Sequence, residues 1–275
     1  MNRTLIIHTG GIGDFLLTCP ALQRLAETSR IHLAGYRNRV ELAVAAGIAQ
    51  RAHDLDDVEF SSIFATPSIR LRTFVLGYDR VIAWMRDDGA LHHAVEACGV
   101  TQVQTFSGLP PNDWSDHASR YYLTCLGFDD APPLRLHIRP SGMPHDVVIQ
   151  PGSGSRRKNW PLVRFVSLAH ALERSGRSIA WCLGPAEGGI ALPNGARRLD
   201  SESLVELARV LAGSRLYIGN DSGITHLAAA VGCRTIAIFG PTDPRIWAPL
   251  GDNVTVVRGN PWPTVEEVLA AIESH

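Results

Sequence analysis

Three short stretches of this chain gather small residues and charged side chains where an apolar, strand-like run gives way to a helix-like one. The first is Gly10-Gly-Ile-Gly-Asp14, after the run Thr4-Leu-Ile-Ile-His8. Glycines there let the backbone approach a ligand closely, and the helix start behind them favours an anion. The spacing is neither GxGxxG nor GxxxxGK(S/T), which argues against a dinucleotide fingerprint or a P-loop. Gly11 and Gly13 shape the loop, and the last glycine is followed by a carboxylate. Asp14 would repel a phosphate but suits a general base facing a hydroxyl; its position suits a helix cap equally well.

The second stretch is Gln150-Pro-Gly-Ser-Gly-Ser-Arg-Arg-Lys-Asn-Trp-Pro161. The hydroxyls of Ser153 and Ser155 and the cations Arg156, Arg157 and Lys158 make an anion cradle, with Pro161 near the first position of the next helix. A diphosphate fits it better than a sugar does, and a solvated basic loop is the plain alternative. The third is Ile218-Gly-Asn-Asp-Ser-Gly-Ile-Thr-His226. Asp221 and Ser222 sit where a helix begins, so the amides of Gly223, Ile224 and Thr225 are expected to point into the cleft with the positive end of the helix dipole, a way to hold a phosphate without a metal. Asp221 reads as an N-cap, which does not exclude binding. His226 reads either as a ligand contact or as a satisfied helix histidine.

The elements that position these loops follow from the spacing of apolar residues. Strand 4–8, a helix carrying Phe15, Leu16, Leu17, Ala21, Leu22 and Leu25, and strand 31–34 form a β-α-β pattern. The segment 51–140 supports only strand 81–84 and helix 117–126. Four prolines, Pro132, Pro133, Pro140 and Pro144, disfavour helix between residues 129 and 144 and predict an extended linker. Beyond it the alternation restarts: strands 147–150, 178–183, 216–219, 235–239 and 254–257, and helices 163–175, 204–212, 224–231 and 265–273. The expected architecture is α/β, with two Rossmann-like domains, 1–140 and 141–275, facing across a cleft at the carboxyl ends of their strands.

Composition bounds the partners. With 275 residues, 45% of them hydrophobic, the chain can bury a sizeable core. The 13 basic and 15 acidic residues up to position 140, and 13 and 12 beyond it, leave neither half the basic surplus of a nucleic-acid binder. Five dispersed cysteines with no CxxC pair read as reduced thiols of a cytosolic protein. No apolar run approaches the roughly 18 residues of a membrane span, and no signal-peptide core follows Met1. The expected location is therefore cytoplasmic, with at most peripheral contact at the cytoplasmic face of the inner membrane. Asp54-Leu-Asp56, the one DxD lookalike, reads as a solvated loop, and no metal site is expected. Of the 26 basic residues only Lys158 is a lysine, and its compact ammonium is not interchangeable with a guanidinium.

The three loops together resemble the ADP-heptose:lipopolysaccharide heptosyltransferase family, inverting glycosyltransferases of the GT-B fold. The resemblance rests on GGIGDFLLTCPAL at the start, PGSGSRRKNWP in the middle and IGNDSGITHLAAAVGCRTIAIFGPTDPRIWAP near the end. It implies that Asp14 is the base that deprotonates an acceptor hydroxyl and that Lys158, beside Ser153 and Ser155, contacts the donor phosphates. Asp221 falls on the acidic residue of the family's D-(S/T)-G-x-x-H block, associated with the donor sugar. Ser222 lies in the same block, while Gly223, Ile224, Thr225 and His226 fall on its diphosphate-binding helix start. The Gly240-Pro-Thr-Asp243 turn would line the donor side. The resemblance further implies an acceptor-binding first domain, a donor-binding second domain, an ADP-sugar as substrate rather than a cofactor, a glycan acceptor and no metal. A nucleotide-sugar epimerase and a non-catalytic nucleotide-sugar-binding protein of the same fold are the alternatives; the acceptor and the oligomeric state stay open.

Overall fold

The computed structural model describes residues 2–130, 133–184, 190–199, 201 and 203–274. The chain divides into two compact units, Met1–Pro132 and Pro133–His275. In the first, β1 (Asn2–His8), α1 (Ile12–Ala26), β2 (Ser29–Gly35), α2 (Arg37–Ala45) and β3 (Arg51–Asp54) are followed by α3 (Ile69–Val75), β4 (Arg80–Trp84), α4 (Ala90–Ala97), β5 (Gln102–Phe106) and α5 (Ala118–Cys125). All pairings are parallel, in the order β3-β2-β1-β4-β5. Successive side chains of the central strand point to opposite faces, yet Leu5, Ile6 and Ile7 are all buried, as a parallel sheet covered on both sides requires.

The second unit contains β6 (Val147–Gln150), α6 (Leu162–Arg174), β7 (Ile179–Cys182), β8 (Arg197–Leu199), α7 (Leu204–Gly213), β9 (Leu216–Asn220), α8 (Gly223–Ala230), β10 (Arg234–Phe239), α9 (Pro244–Trp247), β11 (Val254–Arg258) and α10 (Val265–Glu273). Its sheet is also parallel, in the order β11-β10-β9-β6-β7-β8. One face packs Val147, Ile149, Ile218, Ile236 and Ile238 against α6 and α10 through Phe165, Leu168, Val268 and Ile272.

Both sheets reverse direction beside their first strand. The chain runs outward from β1 through β2 and β3, then returns to β4; it runs outward from β6 through β7 and β8, then returns to β9. Such switch points, at the carboxyl ends of the strands, are where open α/β sheets bind ligands. The turn Gly10–Asp14 leaves β1 at the first of them. The loops after β6 and β9 meet at the second.

One expectation is corrected. The division falls between Pro132 and Pro133 rather than at 140/141, because the extended segment packs on the second unit: Leu134 and Leu136 are buried, and the Leu136 N–H donates to the Ala230 carbonyl at 2.8 Å. Pro161 is the N-cap of α6, directly before its first helical residue and so near that position as expected. Among the described residues, no helix is long and apolar enough to cross a membrane.

The core makes a direct prediction. Phe165 is fully buried, with its ring edge-on to Trp160 at 4.9 Å between centroids. Phe165→Ala is expected to cost about 3–5 kcal/mol, read as a fall in the urea midpoint; a loss under about 1 kcal/mol would contradict this packing.

Candidate functional site

In the first unit the site is built on a buried histidine. The His8 ring closes β1 at 1% exposure. A backbone amide can only donate, so the Gly10 N–H, 3.3 Å from Nδ1, fixes that nitrogen as the acceptor and places the ring proton on Nε2. Nε2 faces the Thr18 hydroxyl at 3.3 Å, and that hydroxyl donates to the Asp14 carbonyl oxygen at 2.8 Å. Burial, reinforced by the Arg39 cation, lowers the His8 pKa to about 4, so the ring is neutral near pH 7. Gly10 leaves room for this arrangement: a Cβ there would lie 2.8 Å from His8 Cε1 and 3.1 Å from Asp14 Cβ.

Asp14 is the third residue of α1, and its Oδ2 accepts from the Gly11 N–H at 3.0 Å. Capping is thus part of its role, and a carboxylate in the first turn also complements the helix dipole. Gly11 is the exposed N-cap, and Gly13 lies in the half-buried first turn. Arg39 of α2 and Tyr122 of α5 both feel the Asp14 charge: it counters the lowering of the Arg39 pKa by burial and adds to the raising of the Tyr122 pKa by burial. Sequence reasoning missed His8, Thr18, Arg39 and Tyr122. A histidine directly before the glycine turn, and a hydroxyl four residues after Asp14, were the available signals.

In the second unit the loop after β6 is tied to the end of β9. The buried Asn220 carboxamide accepts from the Trp160 N–H at 2.8 Å and donates to the Pro151 carbonyl at 2.9 Å. Lys158 thereby lies beside Asp221, with Nζ 2.8 Å from Oδ2. Asp221 is 7% exposed and Lys158 35% exposed at their side chains. An ammonium has three donors, so a pair made through one leaves others for an incoming anion. Ser153 is spent within the loop: its hydroxyl lies 2.6 Å from Asn159 Oδ1 and 2.8 Å from the Ser155 carbonyl, and accepts from the Ser155 N–H at 3.3 Å. Arg156 and Arg157 are exposed.

The cap of α8 is Ser222, not Asp221. Ser222 Oγ accepts from the Thr225 N–H at 3.4 Å and donates to Gln150 Oε1 at 3.0 Å. The Tyr217 hydroxyl, kept neutral by burial, also donates to Gln150 Oε1, at 2.6 Å. Thr225 is completely buried, and its hydroxyl donates to the Asn220 carbonyl. The expectation that its amide faces a bound phosphate is therefore corrected: that N–H turns back to the cap, and Gly223 and Ile224 form the half-buried helix mouth. His226 is buried at 6% exposure and partnered within the fold.

The remaining candidates have local roles. Asp54 and Asp57 each lie 3.1 Å from the Arg37 guanidinium. Asp243 caps α9 by accepting from the Arg245 N–H at 3.0 Å, and the Arg245 side chain holds its pKa down to about 2. Among the described residues, no group of three or more His, Cys, Asp or Glu side chains is placed to hold a metal ion.

Solved structures share this fold along nearly the whole chain. A family 9 glycosyl transferase from Veillonella parvula superposes with a TM-score of 0.80 at 18% identity, covering 99% of this chain and 96% of that one. The ADP-heptose lps heptosyltransferase II of E. coli gives 0.81 at 17% identity, covering 99% and 98%. The fold is thus that of the GT-B glycosyltransferases. Residues 128–272 match glycosyltransferase family 9 (heptosyltransferase), and the chain belongs to that family. Lipopolysaccharide heptosyltransferase 1 of Escherichia coli strain K12 is 35% identical over 173 residues, 60% of this chain and 50% of that protein. Lipooligosaccharide heptosyltransferase 2 of Haemophilus influenzae is 31% identical over 112 residues, 37% and 32%. The matched part spans about a third to a half of these relatives' length.

The buried histidine gives the testable consequence. Its folded-state pKa of about 4 lies below the ordinary 6.5, so the unfolded chain takes up the proton first. The stability involved is fully present above about pH 6.5 and is lost as pH falls toward about 4, a change of about 3 kcal/mol. Urea unfolding from pH 7.5 to pH 4.5 is expected to show a steeper decline for the native chain than for His8→Gln, which cannot titrate. Parallel declines would overturn the assignment of a neutral His8.

Proposed function

We propose that the protein is an inverting glycosyltransferase that moves a heptose from ADP-heptose to an acceptor hydroxyl in the synthesis of lipopolysaccharide or another cell-surface glycan. The observation that carries this reading is the Lys158–Asp221 pair at the mouth of α8, at the switch point of the second sheet. Membership of family 9 supports the reaction class, and the E. coli heptosyltransferase WaaC, which shares the fold, has been solved with ADP. In this reading the second unit binds the donor. Lys158, with the amides of Gly223 and Ile224, stabilises the charge that develops on the departing diphosphate. Asp221 keeps the ammonium aimed and borders the sugar. Preorganised donors of this kind contribute about 3–4 kcal/mol each where water is excluded.

The first unit holds the acceptor. The acceptor oxygen attacks the anomeric carbon opposite the diphosphate; the new C–O bond forms as the bond to phosphate breaks, ADP leaves with the electron pair, and configuration inverts. Asp14 takes the hydroxyl proton. Lysine and amides supply the positive charge, so the scheme requires no metal and no cofactor. The protein works in the cytoplasm, with peripheral contact at the inner membrane when its acceptor is lipid-linked.

Two measurements test this. Calorimetry without metal, with ADP, UDP, GDP and NAD, is expected to show ADP binding alone, weakened by about 1.5–3 kcal/mol in Lys158→Ala. A preference for UDP or GDP would refute the ADP-sugar assignment, and no binding would refute the donor site. In a transfer assay containing EDTA, Asp14→Asn is expected to retain the fold, since the amide oxygen can still cap Gly11, and to lose about 10²–10⁴-fold in kcat. Unchanged turnover would remove Asp14 from catalysis, and conversion of donor without acceptor would indicate an epimerase.

A further inference from the structure

A concavity lies at the carboxyl ends of β10 and β11. It measures about 1000 Å³ and is lined by Arg157, Arg258, Trp262 and Glu267, with Gly240 against the indole and Gly259 against the Trp262 backbone. The backbone is shaped around Trp262. A Cβ on Gly240 would lie 2.6 Å from Cζ3 of that ring, and one on Gly259 would lie 2.1 Å from the Trp262 carbonyl carbon. Glycine at 240 lets the half-buried indole lie across the end of β10, and glycine at 259 leaves room for the close turn of the Trp262–Pro263 backbone.

Charge around the ring is uneven. The two nearby acids are engaged by their own elements: Glu267 Oε2 accepts from the Thr264 N–H at 2.7 Å, and Asp243 holds Arg245 through Nη2 at 2.6 Å. Arg157 and Arg258 are exposed; among the described residues neither lies within 4 Å of a carboxylate, although the Arg258 charge adds to that of Arg245 in lowering the Asp243 pKa. A flat aromatic surface offers apolar contact to the C–H face of a ring. Guanidinium forks bind carboxylate or phosphate oxygens in paired hydrogen bonds. A planar nucleobase would use the indole but not the cations, and inorganic phosphate would use the cations but not the indole.

We propose that this concavity is a binding site for the ring of an anionic sugar, bearing a phosphate or a carboxylate, that shares the Arg156–Lys158 turn with the diphosphate cradle at α8 but holds its ligand on the Arg157 and Trp262 side. The site goes beyond the nucleotide-sugar reading and does not need it.

The test follows the indole N–H resonance of Trp262 in the full ¹⁵N-labelled chain, assigned with Trp262→Phe. The probes are glucose 6-phosphate, glucuronate, glucose and inorganic phosphate, each with and without saturating ADP. Both anionic sugars are expected to shift the resonance saturably, the tighter one identifying the favoured anion, with ADP making no difference. Glucose is expected to bind at least about tenfold more weakly, and inorganic phosphate to leave the indole unmoved. Arg258→Ala, at an exposed position, is expected to weaken both anionic sugars by at least about tenfold and to leave glucose unchanged. The proposal is overturned if neither anionic sugar moves Trp262, if glucose binds as tightly, or if ADP displaces the sugar. Anionic-sugar binding without any ADP binding would instead refute the donor reading and leave this site standing.

Discussion

The carboxamide of Asn220 is the fixed point of the second unit. It is fully buried at the end of a central strand, where an unsatisfied amide would cost about 1–3 kcal/mol per lost partner. It is satisfied by one loop, through the Trp160 N–H and the Pro151 carbonyl. That loop contains Lys158, and the residue after Asn220 is Asp221, so satisfying one amide brings the cation and the anion together. A carboxylate in place of Asn220 could accept from Trp160 but could not donate to Pro151, and an aliphatic residue could do neither.

The first unit solves a related problem with a histidine. The turn after β1 must expose backbone next to a helix start while its polar groups stay paired. The neutral His8 ring accepts from one side and donates to the other, joining the Gly10 amide to Thr18 and, through it, to the Asp14 carbonyl. The carboxylate is braced separately by the Gly11 amide. Arg39 keeps positive charge near both, opposing protonation of the ring. In each unit the chemically equipped turn leaves the first strand at the switch point, so topology and composition select the same place.

Much of this was legible from the residues. Long apolar runs marked the central strands, because a strand buried on both faces has no polar alternation to hide it. The elements that were missed, α2, β3 and α9 among them, are short or rich in polar residues: β5 is an edge strand of the form Gln-Val-Gln-Thr-Phe, β8 has three residues and begins Arg-Arg, α3 carries Arg70 and Arg72, and α4 carries His92 and His93. The three loops were found from glycines, hydroxyls and charges in close succession. The pairing of Lys158 with Asp221, and the choice of Ser222 as cap, depend on contacts between distant segments that local spacing does not encode. The prolines between residues 129 and 144 predict a linker, whereas Leu134 and Leu136 anchor that segment on the second unit.

The chain's single lysine gives the molecule an unusual chemical addressability. Its 25 other basic side chains are guanidinium groups, which stay protonated and are poor nucleophiles toward acylating reagents. The one ε-amine stands on the loop after β6, partly open to solvent and next to a carboxylate. Amine-directed labels therefore have one side-chain target in the whole sequence. A tag, spectroscopic probe or isotopically marked methyl group placed there sits at the helix mouth itself, with no engineered cysteine and no competing surface lysines to remove.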